Sequence, residues 1–263
     1  MLRISDIKLG TDDTESDLRK KVLKLLGVKN VKSFEISKKS IDARKKPDIH
    51  YVYSVDVETD NEEYYAKKIK NSQIVKKKTY EFPKCGKFDK PVVIVGTGPA
   101  GLMCGLTLAQ NGYKVILLER GKCVEERMKD VEAFWEAGFL NPESNVQFGE
   151  GGAGTFSDGK LTTGIKDFRI RKVLEEFHKH GAPKEILYYS KPHVGTDNLS
   201  KMVASITYSP LSLSTTAPHI SPLSVFTLTS LLENLTSPPS LRISLLIDAT
   251  ILERLSVPTC GFE

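Results

Sequence analysis

The feature that most constrains the fold is the stretch VVIVGTGPAGLMCG at residues 92–105. Its first four residues are apolar and mostly β-branched, which is typical of a strand buried on both faces of a parallel sheet. Gly96, Gly98 and Gly101 then follow at GxGxxG spacing. The first glycine allows a tight turn, the second lets the backbone approach a pyrophosphate, and the third lets a helix pack closely on the strand. The stretch therefore predicts a strand, a phosphate-binding turn and a helix.

The residues after the turn extend this pattern. Pro99 suits the first turn of a helix, and Asn111-Gly112 is a stop signal for its end. A second strand is predicted at Lys114–Leu118, followed directly by Glu119, whose carboxylate has the spacing expected for accepting hydrogen bonds from an adenosine ribose. Its charge disfavours a 2′-phosphate and favours FAD or NAD over NADP, although the adjacent Arg120 leaves NADP open.

A second glycine-rich stretch, GEGGAGTFSDGKL, covers residues 149–161. Taken alone it is also compatible with a flexible surface loop. Together with the first turn it favours a long cofactor such as FAD, because its glycines permit close approach to a ligand and its short polar side chains can bind one. The predicted cofactor-binding residues are Gly96, Thr97, Gly98, Pro99, Ala100, Gly101, Glu119, Arg120, Gly151, Gly152, Ala153, Gly154, Thr155 and Ser157.

The N-terminal segment predicts a small ferredoxin-like α+β domain with the order βαββαβ. The predicted elements are an opening strand at residues 2–9, a helix at 15–26, strands at 31–36 and 51–57, a helix at 62–70 and a strand at 74–82. Lysine and arginine runs in this segment, such as Lys76-Lys77-Lys78, are compatible with nucleic acid or acidic partners. They are more often a solvated face.

Four blocks of the chain resemble the bacterial and plastid FAD-dependent dehydrogenases described as NAD- or FAD-utilizing dehydrogenases. The blocks are ISKKSIDARKKPDIHYVYSVDV (36–57), VVIVGTGPAGLMCGLTLAQNGYKVILLERG (92–121), SNVQFGEGGAGTFSDGKLTTGIKD (144–167) and KPHVGTDNL (191–199). The resemblance implies a glutathione-reductase-like FAD domain preceded by a small α+β domain. It implies FAD on Gly96, Gly98, Gly101, Glu119 and the 151–157 loop.

The composition changes abruptly after residue 205. Residues 206–263 contain 12 Leu, 10 Ser, 8 Thr and 6 Pro, but no Lys and a single Gly. A glutathione-reductase-like domain also needs a Gly-Asp pair for the FAD ribitol, and the sequence contains no Gly-Asp dipeptide. One hypothesis is a frameshifted or mis-spliced reading frame after residue 205, and the alternative is a natural Ser/Thr/Pro-rich disordered tail.

We therefore predict an α/β protein with a ferredoxin-like domain at 1–85, an incomplete Rossmann-like FAD-binding domain at 86–205 and an atypical tail at 206–263. The predicted function is an FAD-dependent oxidoreductase, with FAD as cofactor and NAD(P)H as a candidate electron donor. Its small-molecule substrate, catalytic residues and oligomeric state are not readable. The alternatives are a basic RNA-binding or regulatory protein, or a non-functional fragment of the dehydrogenase.

Several other classes are disfavoured by the sequence. No run approaches the roughly 20 apolar residues of a membrane span and no signal peptide is readable, so we expect a cytoplasmic protein. The four cysteines form no CxxC pair, and Cys104 is predicted to be a small core residue. His178 and His180 form an HxH pair that we expect at a solvated helix end, with no metal. His193 is a candidate to line the flavin or substrate side, or to cap a turn.

Overall fold

The structure is a computed structural model that describes residues 1–83, 85–86, 88–208 and 224–227. It divides into two compact units. One comprises Met1–Cys85 and Gly154–Ser205, and the other comprises Gly86–Ala153 with the described part of Ile206–Glu263. Most of the atypical tail therefore lies outside the described residues. Within the described residues, no helix is long and apolar enough to cross a membrane.

The first unit contains a four-stranded sheet with two helices. Its elements are β1 (Leu2–Gly10), α1 (Glu15–Leu26), β2 (Ser33–Asp42), β3 (His50–Glu58), α2 (Glu62–Lys68) and β4 (Ser72–Ile74). The strand order is β2-β3-β1-β4 and every pair is antiparallel. The predicted order of strands and helices is confirmed. The last strand is wrong in its bounds, since it ends at Ile74, where residues 75–82 were expected to continue it.

The core of this sheet is formed by apolar side chains on one face of the strands and on the inner side of α1. Its buried members are Leu2, Ile4, Ile7, Leu9, Leu18, Val22, Leu26, Tyr53, Val55 and Val57. The helix begins with a capping box, in which Thr14 and Asp17 each bond the other's backbone N–H. It ends at Gly27, which has the left-handed φ of +69° that favours glycine.

Residues 154–205 belong to the same unit as this sheet, which differs from the predicted division at residue 86. They contain α5 (Arg169–Lys179), a short 3-10 helix (Lys184–Leu187) and most of α6 (Thr196–Tyr208). A backbone connection to β2 joins these residues to the sheet. The N–H of Lys39 donates to the carbonyl of Tyr188 at 2.7 Å, and the N–H of Ser190 donates to the carbonyl of Lys39 at 3.0 Å. The Lys39 ammonium also lies 4.0 Å from the centroid of the Tyr51 ring.

The second unit contains a parallel sheet. Its elements are β5 (Val92–Val95), α3 (Pro99–Gln110), β6 (Val115–Glu119), α4 (Val124–Ala137) and β7 (Ser224–Thr227). The strand order is β5-β6-β7, and β6 pairs in parallel with both neighbours. The predicted strand, turn and helix at residues 92–110 are confirmed.

The burial of β5 and of Cys104 differs from what the local sequence pattern alone indicates. Val93 is 45% and Val95 is 58% exposed, so one face of β5 is open, and β5 is the end strand of the described sheet. Cys104 was expected in the core and is exposed on α3. α3 packs on one face of the sheet through Leu102, Leu106 and Ala109, and Cys104 is not among these packed residues. Val93 and Val95 lie on the other face of the sheet.

Candidate functional site

The turn between β5 and α3 has the geometry expected of a phosphate-binding loop. Gly96 has a φ of +93°, and its N–H donates to the carbonyl of Leu118 at 2.6 Å, which ties the turn to β6. A Cβ on Gly101 would lie 1.9 Å from the carbonyl oxygen of Gly96, so only glycine fits there. A Cβ on Gly98 would meet nothing within 4 Å. The backbone at Gly98 is therefore open to a ligand.

Gly98 is also the N-cap of α3, and its lack of a side chain means that no side chain caps the helix. The first N–H groups of a helix have no partner within the helix. Together with the helix dipole they favour an anion at this end. Pro99 stands at the first helical position, where its missing N–H costs nothing.

Glu119 is buried and its carboxylate holds the turn. Its Oε2 accepts hydrogen bonds from the backbone N–H of Thr97 at 2.7 Å and from the Thr97 hydroxyl at 2.6 Å. Its Oε1 accepts one from the N–H of Gly121 at 2.9 Å. A carboxylate oxygen can accept two hydrogen bonds, so Oε1 retains capacity for a hydroxyl group of a ligand. The Thr97 side chain positions Glu119.

The start of the second glycine-rich stretch lies against the first. The N–H of Gly151 donates to the carbonyl of Thr97 at 2.9 Å, and a Cβ on Gly152 would lie 3.3 Å from Cδ of Pro99. Ala100 and Ala153 are exposed in the same unit. Arg120 is exposed, pairs with Glu143 at 3.0 Å and stacks over the Phe148 ring.

The rest of that stretch belongs to the other unit. Gly154, Thr155 and Ser157 group with the four-stranded sheet. Thr155 is buried, and the Ser157 hydroxyl donates to the carbonyl of Gly154 at 2.7 Å. The structure therefore places the predicted site residues from Gly96 to Ala153 in one unit, and it places Gly154, Thr155 and Ser157 in the other.

Sequence reasoning missed Arg127, which organises the loop before Gly151. Its side chain is fully buried on α4. The guanidinium donates to four backbone carbonyls at 2.7–2.8 Å, those of Asn145, Val146, Glu150 and Gly152. Burial lowers the pKa of Arg127, and the nearby carboxylates of Glu119 and Glu150 oppose that shift. No sequence signal marks this residue, because its acceptors are backbone groups about 20 positions away.

In the first unit, two of the blocks on which the resemblance rests form a paired ribbon. The N–H of Leu161 donates to the carbonyl of Pro192 at 2.9 Å, and the N–H of Val194 donates to the carbonyl of Gly159 at 3.0 Å. His193 Nε2 then lies 3.9 Å from Oδ2 of Asp158. A hydrogen bond from Lys160 lowers the pKa of Asp158.

The HxH pair lies at the end of α5, where each ring has a different partner. Nδ1 of His178 lies 2.9 Å from the carbonyl of Ala182, and Nδ1 of His180 lies 3.0 Å from the hydroxyl of Ser205. Burial lowers the pKa of His180. Among the residues that the structure describes, no group of three or more His, Cys, Asp or Glu side chains is placed to hold a metal ion.

A parallel strand, glycine turn and helix with a buried acid after the next strand is the arrangement typical of Rossmann-like dinucleotide-binding domains. Comparison with known proteins agrees: residues 90–186 match the family described as pyridine nucleotide-disulphide oxidoreductase, which supports an FAD/NAD oxidoreductase relationship for this part of the chain. Residues 1–58 match a domain of unknown function (DUF8436).

A longer relative comes from Clostridium beijerinckii and is described as an uncharacterized protein. It is 47% identical over 211 residues, which are 78% of this chain and 40% of the relative. The chain thus spans about two fifths of the length of the relative it matches.

Proposed function

We propose that the chain is an FAD-dependent oxidoreductase of the dehydrogenase class. In this proposal a ferredoxin-like domain accompanies an incomplete Rossmann-like FAD domain. The observation that carries the proposal is the open backbone at Gly98 beside the buried carboxylate of Glu119. The match of residues 90–186 to pyridine nucleotide-disulphide oxidoreductases supports it. The antiparallel sheet order β2-β3-β1-β4 with two crossover helices supports the ferredoxin-like assignment.

The residues present fit the AMP half of FAD. The pyrophosphate would lie on the N–H groups at the start of α3, where a Cβ on Gly98 would meet nothing within 4 Å. Glu119 would accept from the ribose, held in place by Thr97 and Gly121. When bound, the flavin supplies hydride or electron transfer, and the protein supplies binding and orientation. NAD(P)H is the proposed electron donor.

The flavin half is where we propose that this chain is incomplete. The sequence contains no Gly-Asp dipeptide to hold the ribitol. The change of composition after residue 205 supports an unrelated sequence beyond that point. We therefore expect weak, reversible FAD binding that is lost during gel filtration.

Equilibrium titration separates this proposal from its alternatives. FAD and ADP should each bind the full chain and compete with one another, whereas FMN should not bind, because FMN has the isoalloxazine ring but lacks the AMP moiety. Isothermal titration calorimetry measures the binding of all three ligands. Binding of FMN as tightly as FAD, or of neither FAD nor ADP, would contradict the proposal, and a yellow monomer after gel filtration would contradict the incomplete flavin half.

The replacement Glu119→Ala should weaken ADP binding by about ten- to a hundredfold, because a hydrogen bond to a charged acceptor contributes about 1.5–3 kcal/mol. Glu119 also holds the turn, so 2′-deoxy-ADP provides the control. The wild-type chain should prefer ADP over 2′-deoxy-ADP, and the Glu119→Ala chain should lose that preference. An unchanged preference in the variant would exclude Glu119 from ribose recognition.

A further inference from the structure

A groove of about 830 Å³ lies in the unit that contains the four-stranded sheet. Its walls come from the outer face of β1–β3, from residues 76–80 and from α5 with the residues just before it. Its volume is within the range of small-molecule sites, about 300–1,000 Å³. The glycine turn at Gly96–Gly101 does not line it.

The groove carries an excess of positive charge. Seven Lys or Arg side chains and four carboxylates line it. The acids are largely used in ion pairs with some of these cations. Arg3 pairs with Asp56 at 2.6 Å, Arg171 pairs with Glu175 at 2.8 Å, and Lys77 pairs with Glu35.

Three cations remain for a ligand, because the seventh, Lys172, pairs with Glu176 at 2.7 Å. Lys76, Lys78 and Lys166 line the groove and are exposed, and none of them has a carboxylate partner within the described part of the chain. A lysine run alone is typical of a solvated face. Here the run lines a concave surface with a third lysine from a segment about 90 residues away, and a concave cationic surface concentrates anions.

Aromatic side chains accompany these cations. Tyr80 and Phe168 line the same groove, and Phe168 is 46% exposed. Exposed aromatic rings next to lysines are suited to stacking a heterocyclic ring while the lysines bind its phosphates.

We propose that this groove binds the phosphate groups of a nucleotide, with Lys76, Lys78 and Lys166 as the phosphate ligands and Tyr80 and Phe168 beside the ring. This site is independent of the flavin site at the glycine turn. Its ligand is a small nucleotide that carries a terminal or 2′-phosphate. The groove volume suits a small nucleotide, and the surface formed by three lysines is too short to follow the backbone of a long nucleic acid.

The test uses the full chain carrying Gly98→Val, so that the glycine turn does not contribute. NADP⁺, ATP and NAD⁺ are titrated at low salt into this chain and into the same chain with Lys76→Ala, Lys78→Ala and Lys166→Ala. We expect NADP⁺ or ATP to bind more tightly than NAD⁺, and the triple replacement to weaken that binding at least tenfold, because it removes all three charges that would contact the phosphates.

A matched control removes the same charge elsewhere in the unit. Lys29, Lys45 and Lys46 are exposed and do not line the groove. Their triple replacement by alanine should leave nucleotide binding unchanged. The proposal is overturned if both triple variants lose binding equally, if neither NADP⁺ nor ATP binds, or if only a single-stranded RNA 12-mer binds. Failure here leaves the FAD and ADP titrations of the unmodified chain unaffected.

Discussion

Replacing Gly98 with valine is expected to abolish binding of FAD and ADP while leaving the unfolding midpoint of the chain unchanged. The side chain has room in the protein, because a Cβ at this position meets nothing within 4 Å and the φ of Gly98 is −66°. The added isopropyl group would instead occupy the space of the pyrophosphate and keep it from the N–H groups of α3. The loss of binding therefore has a local cause.

Calorimetric titration with FAD and ADP measures the effect, and urea unfolding followed by circular dichroism measures the stability. Gly164→Val is the matched control, because Gly164 is exposed and, like Gly98, has nothing within 4 Å of its Cβ position. That variant should bind both ligands as the wild-type chain does. Normal ADP binding by the Gly98→Val chain would remove the glycine turn from the site.

Gly101→Ala, unlike Gly98→Val, should destabilise the unit that contains β5 and α3. Its Cβ would lie 1.9 Å from the carbonyl oxygen of Gly96, and both groups are backbone, so no side-chain rotation can relieve the overlap. Overpacking costs about 1–3 kcal/mol and more where the backbone must move, so we expect a loss of at least about 3 kcal/mol. Unfolding of this unit should begin at lower urea concentration.

Gly105→Ala in the same helix is the matched comparison. Both replacements gain about 1 kcal/mol of helix propensity. The Cβ of residue 105 would lie 3.2–3.5 Å from atoms of the Leu117 side chain, so a shift of a few tenths of an ångström relieves the contact without moving the backbone of the turn. Urea unfolding should therefore place Gly105→Ala near the wild-type chain. Equal midpoints for the two variants would show that the close approach of α3 to the turn is not required.

Local patterns predicted the elements that local interactions determine. The helix at Glu15–Leu26 has the predicted bounds, because its capping box, its apolar period and its terminal glycine are all adjacent in sequence. The strand at Val92–Val95 also has the predicted bounds, because they follow from a local run of apolar residues. The apolar run alone indicates burial on both faces, but burial depends on which elements cover each face of the sheet, and an apolar run does not encode that.

The site shows the same division. The positions of Gly98, Gly101 and Glu119 follow from spacing along a strand, a turn and a helix. The hydrogen bonds from Thr97 to Glu119, and those from Arg127 to four carbonyls, join groups that are distant in sequence. The contacts between residues 154–205 and the first sheet include two backbone hydrogen bonds of Lys39, which leave no trace in the pattern of side chains.

The open face of β5 has a consequence for the behaviour of the protein in solution. A parallel sheet is normally covered by helices on both sides, but Val93 and Val95 stay 45% and 58% exposed. Within the residues that the structure describes, β5 is the end strand of its sheet, so its outer backbone groups have no strand partner there. At high concentration, two copies of the chain would pair through these edges, so we expect aggregation to limit the concentration at which the protein stays in solution.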